Sequence, residues 1–389
     1  MLENCRWFLY ISRICGCHPH TINEQSTVTN FRLLSGYSLI VLVVYCVAAY
    51  CSSGFATACS KIDLGCVLQR VNRYNRSFYM IPSILFSCLR RAKFEDSLIT
   101  VHKFDELLKH HRWNIANGKR NKKWKIDCIQ WLAIVMISSA WFLRVVLGSL
   151  ILKELGVKNQ APILISFLIQ IITRTTFCFE LVKFYLLYDA LRRRFQHLNK
   201  LCHGLIGTFV RITIGIDINF YANRLTIENF KQLYHCLYDA TEYLTSYYSP
   251  QLLCWIMFML LDVVTYIFTV LYGNIQFSSA LLVCDECITI LLLTLQIVAI
   301  SRICHLTCNE VLAYVHTLKS RYDACCGNGK TSAVKDNDLT IETIELAIYL
   351  RLYPLRIRVY SLFDLDTRFT FSVFGIVLMY VVLIYSYID

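Results

Sequence analysis

Residues 251–272 read QLLCWIMFMLLDVVTYIFTVLY, and residues 277–301 read FSSALLVCDECITILLLTLQIVAIS. Only GNIQ separates them. A helix needs about 20 mostly apolar residues to cross the hydrocarbon core of a bilayer. Both runs meet that length with few charges, and neither shows the stripe of a half-buried helix. The four-residue connection forces them to be neighbours that run in opposite directions. This pair decides the class of the chain: a membrane protein built of helices.

The same reading applied outward gives candidate spans at residues 33–51, 77–89, 126–152, 162–188, 251–272, 277–301 and 369–388. The second is the weakest, being short and holding Pro82, and it is kept because the topology is inconsistent without it. Composition agrees. The 389 residues are 56% hydrophobic and only 17% charged, against roughly 45–50% and about 25% in soluble domains.

The net charge of +12 is distributed by topology. Cytoplasmic loops carry an excess of Lys and Arg. With seven spans, one alternating set of connections holds 30 of the 39 Lys and Arg and the other holds 6. The near-membrane clusters Arg90–Lys93, Lys119–Lys125 and Arg192–Arg194 all fall in the first set. The N-terminus is therefore expected in the cytoplasm and the C-terminus outside. Basic residues placed this way are topology determinants, so no nucleic-acid partner is expected. No cleavable leader is expected either, because the first apolar run is long enough to span.

The expected architecture is an all-α polytopic protein, one seven-transmembrane domain over residues 1–389. Residues 94–111, 225–248 and 338–352 show helical spacing of apolar positions, so spanning helices are expected to continue into the cytoplasm as an anchor region. Residues 323–338, with Gly327 and Gly329, read as a loop. No internal repeat is present, which argues against an inverted-repeat transporter.

Asn75-Arg76-Ser77 is the one glycosylation sequon and falls in the first outer loop, so Asn75 is a candidate glycan site. Cys51, Cys59 and Cys66 share that loop; a disulfide among them and free thiols both remain open. Cys15-Gly16-Cys17-His18-Pro19-His20 has metal-binding side chains, but no second ligand pair follows at zinc spacing. No metal and no cofactor is expected. No HExxH, His-box or nucleophile motif is present, so enzymatic activity is not expected.

Charged residues inside spans mark function or mutual neutralisation. Glu180 and Lys183, three apart in span four, are placed to pair.

Two segments resemble insect gustatory receptors. Residues 237–272 include Tyr248-Ser249-Pro250-Gln251-Leu252-Leu253, which is similar to that family's lead into span five. Residues 355–389 include Leu362-Phe363-Asp364-Leu365-Asp366, which resembles the phrase before span seven. The family signature is Thr-Tyr, five apolar residues, then Gln-Phe. Here the aligned positions are Met379-Tyr380, residues 381–385, and Ser386-Tyr387, so Tyr380 and the spacing are retained. The inside N-terminus separates the chain from G-protein-coupled receptors, and Asp-Arg-Tyr and Asn-Pro-x-x-Tyr are absent from the expected places.

The resemblance implies a plasma-membrane, ligand-gated cation channel of four subunits, homo- or heteromeric. Span seven would line the pore, the cytoplasmic helices would anchor the subunits, and a small-molecule tastant would bind among spans two to six. On that footing Leu383, Ser386 and Tyr387 are the candidate gate. Trp141 with Arg144, Gln170 with Arg174, the face Asp262–Tyr266–Thr269, and Asp285 are the candidate ligand pocket. Two alternatives stay open: a receptor-like membrane protein of the same fold without channel activity, and a metabotropic seven-helix receptor. The ligand, taste modality and ion selectivity are not legible.

Overall fold

The fold is set by three helices far longer than a bilayer requires. In the computed structural model, which describes residues 6–17, 21–22, 28–29, 31–54, 75, 78–110, 146, 160–213, 227–276, 280–327, 345 and 348–388, the chain runs as follows. Helix α1 (Arg6–Ile14) leads to a two-residue antiparallel pair, β1 (Thr21–Ile22) with β2 (Val28–Thr29). Then come α2 (Phe31–Gly54), α3 (Met80–Leu89), α4 (Arg91–His110), α5 (Gln160–Thr213), α6 (Ile227–Gln276) and α7 (Ala280–Gly327). A small hairpin, β3 (Arg358–Val359) with β4 (Phe363–Asp364), precedes α8 (Thr367–Ile388).

Helices α5, α6 and α7 hold 54, 50 and 48 residues. At about 1.5 Å per residue each is roughly 70–80 Å long, while a hydrocarbon core is about 30 Å thick. Each therefore has an apolar half and a polar half. Among the described residues two helices are long and apolar enough to cross a membrane, Glu228–Leu271 and Glu286–Val311; Leu33–Val47, Met80–Leu89 and Thr367–Leu383 are shorter apolar helices. The span expected at 126–152 lies outside the described residues, apart from Val146.

One expectation changes: residues 323–327 of the stretch read as a loop are helical, because α7 continues to Gly327. Of the span read at 77–89, α3 covers ten residues, a rise of roughly 15 Å. Asn75 and Phe78 also have helical backbone, and after a break at Arg90 the chain resumes helix as α4.

Helix α6 is the central post and packs against α3, α4, α5, α7 and α8. Its side chains Tyr234, Tyr247, Tyr248, Trp255 and Tyr266 are fully buried. In the polar halves, ion pairs hold the helices together. Arg194 of α5 grips Asp105 of α4 with bonds of 3.0 and 2.6 Å. Arg192, Gln196 and Asn199 of α5 converge on Glu310 of α7. Bidentate Arg–carboxylate geometry adds orientation as well as attraction.

Candidate functional site

Helix α3 and its upstream turn place Asn75, Tyr79, Ser83 and Ser87 four residues apart, so they share one face. Helix α6 runs antiparallel and presents Asp262, Phe258, Trp255, Gln251 and Tyr247 on the facing stripe. The two stripes interlock by hydrogen bonds along their length. Ser87 Oγ accepts from Tyr247 (2.9 Å) and from Gln251 Nε2 (3.3 Å). Ser83 Oγ accepts from Trp255 Nε1 (3.1 Å). Asn75 Nδ2 donates to the Phe258 carbonyl (2.9 Å) and to Asp262 Oδ1 (2.5 Å). Small serines let the helices approach, and the larger α6 side chains reach across.

At the far end of this seam sits a charged knot. Asp262 Oδ2 accepts from Tyr79 (2.9 Å) and from Arg174 Nη2 of α5 (2.5 Å). Arg174 also reaches the Tyr266 hydroxyl at 3.5 Å and lies over the Tyr79 ring, 5.3 Å from its centroid. Asp262 is 0% exposed and Arg174 6%. A buried pair is tolerable only when its remaining lone pairs and protons are satisfied. Asn75 and Tyr79 supply that to the carboxylate. Aromatic walls of Tyr79, Phe177, Phe258 and Trp255 surround the knot, with ring separations of 4.6–5.6 Å. Arg174 Nε is buried without a hydrogen-bond partner.

Three of the residues expected around a pocket, Arg174, Asp262 and Tyr266, thus come together. Thr269 does not join them; its hydroxyl bonds the Thr265 carbonyl of its own helix at 2.9 Å. Gln170 lies in α5 and Asp285 in α7, with side chains outside the described residues. Trp141 and Arg144 lie outside the described residues altogether.

Asn75 and Tyr79 carry no obvious signal in the sequence for this role. Asn75 sits in a sequon that reads as a surface site, yet it is 3% exposed with its amide nitrogen engaged twice. A glycan on that nitrogen and this folded arrangement exclude each other. The i, i+4 repeat of Asn, Tyr, Ser and Ser was the available clue, and a polar stripe in a short apolar helix is what a buried seam requires.

A second buried pair lies lower in α5. Lys183 pairs with Glu180, as their spacing suggested. Ser12 of α1 completes the group: its hydroxyl donates to Glu180 and accepts from Lys183 Nζ at 3.1 Å. Just past the end of α1, Gly16 has a φ of +79°, and a Cβ there would lie 3.0 Å from the Val41 side chain, so the turn favours glycine.

The candidate gate lies on α8. Leu383, Ser386 and the motif residue Tyr380 are all exposed on the single chain. Ser386 Oγ donates to the Leu383 carbonyl at 2.8 Å, and the Tyr387 side chain is outside the described residues. Cys51 lies in the last turn of α2 with its side chain outside the described residues, and Cys59 and Cys66 lie outside them altogether.

A family model described as 7tm chemosensory receptor matches residues 6–384. No curated protein matches the chain. Solved structures share the fold, among them these two. One is the insect olfactory receptor OR5 from Machilis hrabei in complex with eugenol, at 14% identity and TM-score 0.57, with 98% of this chain and 97% of that one covered. The other is a further structure of OR5 from the same organism, at 14% identity and TM-score 0.57, covering 97% and 96%.

Proposed function

The chain belongs to the 7tm chemosensory receptor family, and we propose that it is a gustatory-receptor-like cation channel gated by a small molecule. It sits in the plasma membrane with its N-terminus inside, seven spans, and its polar helix halves in the cytoplasm. The tastant binds against the Arg174–Asp262 knot. The observation that carries this reading is the buried Arg174 Nε, a donor left over in an otherwise satisfied cluster. Arg174 and Asp262 cancel each other's charge, so the site favours a neutral ligand with an acceptor oxygen and an apolar body. OR5 in complex with eugenol shows that one protein of this fold takes a small neutral aromatic.

The pore is assigned to α8 of four assembled subunits. Helix α8 buries Val373 but exposes Phe371, Leu378, Met379, Val382 and Leu383. Such a face needs lipid or a partner helix, and copies of Leu383 and Tyr387 would form an apolar constriction that gates by dewetting. Substitution of the signature Thr, Gln and Phe by Met379, Ser386 and Tyr387 favours one second reading, a receptor-like relative without channel activity.

The test is whole-cell recording from cells expressing the full chain, alone and with other gustatory receptors, under sucrose, quinine and eugenol. The channel reading expects a cation current to at least one probe, weakened in Leu383→Glu. Silence to all probes, with protein that is monomeric in nanodiscs, would overturn it.

A further inference from the structure

Pro250 stands inside α6. Proline has no N–H, so the carbonyl four residues earlier loses its helical partner. That carbonyl belongs to Ser246, and it is taken by Arg90: Nη1 lies 2.5 Å from it. Arg90 sits at the break between α3 and α4, the lower end of the polar seam. Its other terminal nitrogen donates to the Tyr360 hydroxyl at 3.1 Å, and its guanidinium lies 5.3 Å from the Tyr360 ring centroid. One residue before Pro250, Ser249 Oγ accepts from the Tyr360 backbone N–H at 2.8 Å. A proline-made acceptor, an arginine and a serine thus hold one tyrosine by its ring, its hydroxyl and its backbone.

Tyr360 is the tip of the β3–β4 hairpin. The turn closes by a bond from Leu362 N–H to the Val359 carbonyl, and its central residues have φ of +48° (Tyr360) and +59° (Ser361). Asn and Gly are the residues favoured in such primed turns. Here neither is present, so the turn persists because its surroundings hold it. The hairpin is also rigidly joined to α8. Asp366 caps that helix by accepting from Phe369 N–H at 2.9 Å, and Phe363 stacks on Phe369 with centroids 4.6 Å apart and planes 9° from parallel.

We propose that Arg90 is a positioning residue for α8: it clamps the strained hairpin tip to the proline site of α6, so the seam between α3 and α6 sets where α8 begins. As a gating device this rests on the reading of α8 as pore-lining. Arginine is required rather than lysine, because two separate acceptors and a ring face must be met by one planar fork.

Hydrogen–deuterium exchange of the full chain in lipid nanodiscs, read over residues 357–366, tests the clamp, with basal cation current recorded alongside. Arg90→Gln is expected to speed exchange there by about tenfold, by loss of charge-assisted bonds, while α6 and α7 keep wild-type protection. Arg90→Lys should fall between, and Ser361→Gly should slow exchange, because glycine relieves the left-handed backbone without touching the clamp. Basal current should change in Arg90→Gln and move back in Arg90→Lys. Unchanged exchange at 357–366 in Arg90→Gln, or a rise shared by every helix, overturns the clamp even if currents are present. The expected exchange pattern with no current in any variant, wild type included, upholds the clamp and removes the pore reading.

Discussion

Arg174 and Asp262, 88 positions apart in the chain, meet at 2.5 Å in a setting where neither is exposed by more than a few per cent. A buried charge left alone is far costlier than a buried pair, and replacing both partners by apolar groups is often neutral.

Arg174→Met alone should therefore destabilise the protein by about 3–5 kcal/mol, and Asp262→Leu by a similar amount. The double variant should recover most of the loss. Thermal unfolding in detergent, compared across the four proteins, checks this. Simple additivity of the two losses would show that the charges do not depend on each other.

Asn75 should carry no glycan in the folded protein, since its nitrogen serves Asp262 and the Phe258 carbonyl. Treatment with an N-glycosidase should leave the mass of the expressed protein unchanged. Asn75→Ala should cost about 1–3 kcal/mol by leaving the carboxylate short of a donor.

Ser87→Ala removes the acceptor of both Tyr247 and Gln251. Orphaning two buried donors should cost about 1–3 kcal/mol. Ser83→Ala orphans only the Trp255 indole and should cost less, near the ~0.6 kcal/mol typical of interhelical bonds in membranes. Ser372→Ala, on the exposed part of α8, should change stability by less than about 0.5 kcal/mol. Equal losses at all three positions would contradict a seam localised between α3 and α6.

Removal of residues 1–17 should expose the Glu180–Lys183 pair, because Ser12 bonds both. The truncated chain should unfold at a lower temperature than wild type. Ser12→Thr should retain most of the stability and Ser12→Val should lose about 1–3 kcal/mol, measured by the same thermal scan.

Much of the site was legible one helix at a time. Glu180 and Lys183 are three apart on one helix, so their pairing follows from local geometry. Asp262 and Tyr266 share a face for the same reason. Arg174 reads as belonging to the same pocket, but its direct pairing with Asp262 and the parts taken by Tyr79 and Asn75 were not legible, because those contacts cross between helices and depend on rotation and depth. Ser12 was not legible because α1 has only nine residues, too short to read as a span, and nothing local shows which helix it meets. Arg90 read as a topology charge, and nothing local shows that Pro250 would leave the Ser246 carbonyl for it to take.

The sequence by itself determined that this is a helical membrane protein, because lipid excludes charge and each apolar run must find it or a neighbour. Only the tertiary structure decided which polar side chains inside the bundle meet. That choice depends on how helices pack against α6, and a period of 3.6 residues says which side chains share a face, not which helix the face will meet.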